Sequence, residues 1–254
     1  MTLELSEPDQ KRTLAIVANR FLYWLGLHWL FVFILTWCLY IMLPFLAPVF
    51  MKLGWTGAAS VIYLIYSLDC HQLPQRSFFL FGPKLMYSLP EIQAVWQPTN
   101  NPLILRQFIG NEEMGWKVAW CERTTWMYTT ILCIGLLYGL IRKRWRPFTL
   151  RAFVLLSLPV ALDGGSHFLS DLISGFNNGF RDNNVWLAQL THYAFSIAFY
   201  SGDTLGSFNS WMRLSTGVLF GIGVAGLVLP LVEIEFSNMV RRIESKFQRA
   251  GLSL

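Results

Sequence analysis

Charge is scarce in this chain. Asp, Glu, Lys and Arg make up 14% of its 254 residues, against about 25% in a soluble domain. A water-soluble surface is hard to build from so little. Fixed-period repeats are also absent, which excludes a solenoid. No Walker loop, Rossmann glycine fingerprint, His-Glu-x-x-His or Cys-x-x-Cys-His run occurs. Their absence removes the sequence signatures of phosphate loops, dinucleotide folds, zinc proteases and covalent haem. Residues 1–20 are mostly polar and lack a short apolar core with a small-residue cleavage site, so no cleavable leader is expected.

What is present is apolar and aromatic: 54% hydrophobic residues, 11 Trp and 20 Phe, with a mean hydropathy of +0.43. This composition predicts an all-α, polytopic integral membrane helix bundle. The net charge of +5 does not point to nucleic acid, because the basic residues flank apolar spans. They read as topology determinants and headgroup contacts.

One membrane domain over 1–254 is expected, with four full spans at about 21–49, 124–141, 148–172 and 213–235. The segment 55–69 is too short for a comfortable crossing and reads as a short or re-entrant helix. The long segments 70–123 and 173–212 read as loops on one face. A basic amphipathic tail follows at 236–254. The runs Arg142-Lys143-Arg144 and Arg241-Arg242, with Lys11, Arg12 and Arg20, should face the cytoplasm. The two loops then form an elaborated extracytoplasmic face. A faint echo links Asn184-Val185-Trp186 and Thr191 with Asn209-Ser210-Trp211 and Thr216.

Three constellations can carry chemistry. Cys70, His71 and Cys121 place soft donors near one another. They suit zinc or another transition metal, with His167 as a further candidate ligand. The same two cysteines suit a disulfide in an oxidising compartment, or they stay free. Cys38 and Cys133 lie inside spans and read as packing. Asp163, His167 and Asp171 follow an i, i+4, i+8 spacing that stacks them on one helix face. They can hold a metal, relay a proton or serve as acid and base, or they mark a solvated helix end. Arg76 and Arg123, with Arg213, can clamp a carboxylate or phosphate, or pair internally with Asp69, Glu122, Asp163 or Asp203. Gly217, Gly221, Gly223 and Gly226 on the last span suggest close helix packing.

The run Cys70-His71-Gln72-Leu73-Pro74-Gln75-Arg76-Ser77-Phe78-Phe79-Leu80-Phe81-Gly82 resembles the mark of a predicted membrane-protein family called domain of unknown function 2085. Cys121-Glu122-Arg123-Thr124-Thr125-Trp126 is similar to a Cys-x-Arg-Cys-Thr-Gly mark of that family, with Thr124 replacing the second Cys and Trp126 the Gly. Asp163-Gly164 resembles a third mark, and Asn209 with Arg213-Leu214-Ser215-Thr216-Gly217 a fourth. The resemblance covers roughly 40–230, and implies a fold and a site but no reaction. The loss at Thr124 weakens a four-donor metal site.

Together these readings give an integral membrane protein with a binding or structural role, expected in the plasma membrane of a prokaryote. Its candidate cluster is Cys70, His71, Arg76, Cys121, Arg123, Asp163, His167 and Asp171. The expected partners are the lipid bilayer, a lipid headgroup or another membrane protein, with no nucleic acid. The alternative is a membrane-embedded enzyme acting on a lipid or anionic substrate. A transporter is disfavoured, because the spans carry few charges and lack an inverted repeat.

Overall fold

In a computed structural model, which describes residues 7–254, four helices are long and apolar enough to cross a membrane. They are α1 (Glu7–Lys52), α5 (Glu122–Ile141), α6 (Leu150–Ser174) and α10 (Phe208–Arg249). The six residues before Glu7, part of the segment read for a leader, lie outside the described residues. The bundle is inside out relative to a soluble protein. Phe31, Leu140, Leu155 and Leu162 stand exposed, while charged groups are buried. Apolar surface on this scale marks contact with lipid, and the chain is a helical membrane protein.

Helix α1 has 46 residues and α10 has 42, so at 1.5 Å per residue they are about 69 and 63 Å long. Both far exceed a hydrocarbon core of about 30 Å. They run antiparallel. Trp29 Nε1 donates to Glu233 at 2.9 Å, and the Tyr23 hydroxyl to Glu244 at 3.2 Å. The start of α1 and the end of α10 therefore continue together beyond the α5–α6 turn, where Phe148 N donates to Gly226 O at 3.0 Å. We call this the tail end and the opposite end the motif end.

Between α1, α5 and α10 lies a core of Trp29, Leu30, Ile131, Tyr138, Ala225 and Leu229. The glycines of α10 bring its backbone against α5. A Cβ at Gly221 would sit 2.7 Å from Met127 O, and one at Gly217 would sit 3.0 Å from Arg123 O. Small residues at a helix crossing are how membrane helices approach closely without a hydrophobic driving force. Thr149 caps α6 and Ser207 caps α10 through their side-chain oxygens, each satisfying an otherwise free N–H.

Helix α2 (Thr56–Tyr66) is 11 residues long. Gly54, at φ +77°, turns the chain back after α1. The Tyr66 hydroxyl donates to Tyr40 O at 2.7 Å, and Tyr40 donates to Asp69 at 2.6 Å. The helix thus lies back along the upper part of α1 and returns the chain to the Tyr40 level without crossing.

The segment read as a long loop at 70–123 is folded. It carries a 3₁₀ turn (Pro74–Arg76), strand β1 (Ser77–Leu80), helices α3 (Leu89–Val95) and α4 (Pro102–Leu105), and strands β2 (Gly110–Asn111) and β3 (Gly115–Cys121). The strands form one antiparallel sheet, ordered β1-β3-β2, with an irregularity between Ser77 and Phe79. Phe79, Tyr87, Ile92, Leu105, Phe108 and Met114 give this region its own small core. Its Pro and Asn residues start helices: Pro90 and Pro102 sit in the first turns of α3 and α4, and Asn101 caps the latter. The second long segment folds into three short helices, α7 (Phe180–Asn183), α8 (Val185–Leu190) and α9 (Ile197–Tyr200).

Candidate functional site

At the motif end, side chains from six elements meet in two linked ion clusters. The first is centred on Arg213, near the start of α10. Its Nε donates to Glu122 Oε2 at 2.8 Å and its Nη1 to Asp203 Oδ1 at 2.6 Å. Its Nη2 also donates to Asp203 O at 2.5 Å. The other carboxylate oxygens are taken as well. Arg76 Nε donates to Asp203 Oδ2 at 2.8 Å, and the Ser210 hydroxyl to Glu122 Oε1 at 2.6 Å. Glu122 is fully buried. Burial alone would raise the Asp203 carboxyl, but Arg76 and Arg213 hold it well below the usual carboxylate range.

The second cluster is centred on Asp163, inside α6. Arg123 Nη2 donates to Oδ2 and Arg181 Nη2 to Oδ1, both at 2.5 Å. Arg181 also lies 3.3 Å from His167 Nε2 and stacks over the Phe208 ring at 5.3 Å. Asn184 and Asn209 anchor the Arg181 segment. Each donates to Arg181 O, at 2.9 and 2.7 Å, and Asn184 also reaches Tyr200 O at 2.7 Å. The two asparagines of the sequence echo thus converge on one carbonyl. A charge left inside a bilayer-sized bundle is expensive unless paired, and here each acid is bracketed by two cationic or hydroxyl partners.

Beside these clusters lie Cys70 and Cys121. Cys121 N donates to Cys70 Sγ at 3.0 Å, which sets the two cysteines side by side. All four cysteines are free. Cys70, aided by Leu73 N and the charges of Arg76 and Lys117, pulls the Cys121 thiol down to about 6 against the effect of burial. Cys121, with burial, pushes Cys70 up. Lys117, in the middle of β3, is fully buried, and burial pushes its ammonium down to about 7.

Of the eight expected residues, Arg76, Arg123, Asp163 and His167 enter the ion clusters, and Cys70 and Cys121 form the adjoining thiol pair. His71 is exposed. Asp171 is only partly buried. Among the described residues, no three His, Cys, Asp or Glu side chains gather as metal ligands. Cys70, His71, Cys121 and His167 therefore do not converge: His71 points to the surface, and His167 sits on Arg181. Arg123 pairs with Asp163, one of the internal pairings the sequence left open, and Arg181 is the second partner. Sequence reasoning missed Arg181 and Lys117. The first stands in a Gly/Asn-rich stretch, and the second in a segment read as loop. A lysine flanked by Gly115, Trp116, Val118, Ala119 and Trp120 is a signal of a buried strand, and it was available.

These features define a polytopic helical membrane protein with a buried ion network at one end. The family described as predicted membrane protein (DUF2085) matches residues 112–227, so the resemblance read from the motifs is shown across the part holding Glu122, Asp163, Arg181 and Arg213. The Cys70–Gly82 run lies outside the matched residues. An uncharacterized protein of the archaeon Methanocaldococcus jannaschii is 26% identical over 171 residues, covering 61% of this chain and 79% of that protein. No solved structure matches.

Proposed function

We propose that this protein, a single membrane domain, has a binding or structural role in the membrane, and that its ion network is a scaffold fastening an elaborated extracytoplasmic face onto the bundle. One observation carries the reading. Each carboxylate of the network joins elements far apart in sequence: Asp163 links α6 to α5 and α7, and Asp203 links the motif turn to α10. Polar groups used this way hold a fold together. Two cavities among the described residues, of about 530 and 200 Å³, lie along α1 and α10 at the tail end, lined by residues such as Gly26, Glu233 and Arg242.

Sidedness is supported by the shared position of the basic runs. Arg142 approaches Glu233 at 3.8 Å, and Arg20 donates to Ser253 O at 2.9 Å. This places the α5–α6 turn, the α1 start and the tail at one end. The positive-inside bias makes that end cytoplasmic. The exposed Leu190, Tyr193, Phe195 and Ile197 of the α8–α9 region suit the lipid interface. In a single-cysteine series, a cysteine at position 144 should resist labelling from outside, while one at position 100 should label. The reverse pattern inverts the assignment.

The enzyme reading keeps one observation in its favour. Nε of Arg123 and of Arg181 is buried without a partner, and the four arginines face three fully engaged carboxylates. An anionic group could use those donors. Equilibrium binding of a soluble phosphate monoester to the purified protein, lost in Arg123→Gln without loss of fold, would favour that reading over the scaffold.

A further inference from the structure

Lys117 is buried with no carboxylate at ion-pair distance among the described residues. Its Nζ donates to two carbonyls, Gln72 O at 2.8 Å and Arg106 O at 2.7 Å. Carbonyls solvate an ammonium but do not neutralise it, and an isolated buried charge is costly. The groups that draw its charge are sulfurs, Cys121 first and then Cys70. Strand geometry explains the proximity. Residues 117 and 121 are four apart on β3, so their side chains share one face. Cys70 is brought to the same place by the turn that follows. Gln72, at φ +53°, folds the chain so that its N–H donates to Cys70 Sγ at 3.4 Å, while its carbonyl holds Lys117. The cation and the two sulfurs are thus built into one loop–strand junction.

We propose that Cys70 and Cys121 form a reversible dithiol–disulfide couple, with Lys117 as the buried counter-charge of the attacking sulfur. The external reactant is a disulfide. Cys121 is partly exposed whereas Cys70 is 6% exposed, so Cys121 attacks and Cys70 resolves. In the first step the Cys121 thiolate bonds to one sulfur of the external disulfide. That S–S bond breaks, and the other sulfur leaves as a thiolate. In the second step Cys70 bonds to the Cys121 sulfur, the mixed disulfide breaks, and the Cys70 proton passes to the departing thiolate. Two electrons leave the protein, its thiol and thiolate become one disulfide, and the external disulfide becomes one thiol and one thiolate, which takes its proton from water. Cys121 N already lies 3.0 Å from Cys70 Sγ, so the two residues are neighbours before any helix moves. A purely structural thiol pair has no use for a buried ammonium. A thiolate nucleophile does, because a neighbouring cation is what makes a cysteine reactive.

The full-length protein in detergent micelles would be equilibrated with mixtures of reduced and oxidised glutathione. It would then be quenched by alkylation and mapped by peptide mass spectrometry. The expected result is a crosslink between positions 70 and 121 that grows with the oxidised fraction and disappears on reduction, with Cys38 and Cys133 alkylated throughout. In Cys70→Ser, glutathione should remain trapped on Cys121, and in Cys121→Ser none should be trapped on Cys70. In Lys117→Met, alkylation of Cys121 at pH 7 should slow by about tenfold, with recovery in Lys117→Arg. No crosslink at the most oxidising mixture overturns the couple. So does a crosslink that persists in excess dithiothreitol, since that is a structural bridge. The glutathione series uses the unmodified chain, so the decision stands even if a variant fails to fold.

Discussion

At the motif end, Arg181 and Arg213 are buried under carboxylates from other elements, with side chains 5% and 3% exposed. At the tail end, Arg142, Arg144, Arg241, Arg242 and Lys246 all stand exposed. The residue types are the same and the physics is opposite. An exposed pair in high dielectric is screened and contributes little. A buried pair has already been desolvated, so removing one partner strands the other. On the proposed reading, arginines at the motif end hold the elements together, and those at the tail end set which way the bundle sits in its membrane.

The sharpest break of this contrast is Arg213→Ala. It removes the arginine partner of Glu122 and one of the two arginine partners of Asp203, and should cost about 3–5 kcal/mol, read as a large drop in the thermal midpoint in detergent. The same cluster sets an acid limit. Asp203 has a folded pKa below its unfolded value, so its contribution is complete above the unfolded pKa and is lost as pH falls through the folded one. Arg213→Ala should flatten that acid dependence.

Next in size is Asp163→Asn, which removes the charge between Arg123 and Arg181 and should cost about 2–4 kcal/mol by the same reasoning. Asp182→Asn is its control. Asp182 accepts from Gly179 N at the start of α7, so its loss should cost only about 0.5–1 kcal/mol, as for a helix cap. Equal melting curves for the two variants would remove the distinction between network and surface turn.

A substitution without charge comes third. Gly221→Val drives a side chain into the Met127 carbonyl and Thr130 of α5, and overpacking of this kind costs about 1–3 kcal/mol. Smallest should be Arg142→Ala. Its contact with Glu233 is 3.8 Å long and its side chain is 40% exposed, so a change within about 1 kcal/mol is expected. If Arg142→Ala matched Arg213→Ala, the two ends would not differ in kind.

Much of the fold was legible in advance. Four long apolar segments and one short one announce themselves by length and hydropathy, and the glycines of α10 by their spacing. The pairing of Asp163 with Arg123 was among the internal pairings that the sequence left open. The sheet did not announce itself, because β1 and β3 are short and buried on both faces. Such runs lack the polar alternation that identifies a strand. Arg181 was hidden for another reason: nothing local sets a buried arginine in a polar stretch apart from a solvated one.

Composition and hydropathy alone determined that this chain enters a membrane, which segments cross it, and that its polar motifs collect away from the basic runs. These are properties of each segment's own transfer from water to lipid, and they need no partner. Tertiary structure decided the rest: which carboxylate each arginine meets, that His71 faces outward while His167 is enclosed, and that Lys117 is buried on the carbonyls of Gln72 and Arg106. Those outcomes depend on distance between residues remote in sequence. Electrostatic and hydrogen-bond energies are set by a few ångströms of separation and by the exclusion of water.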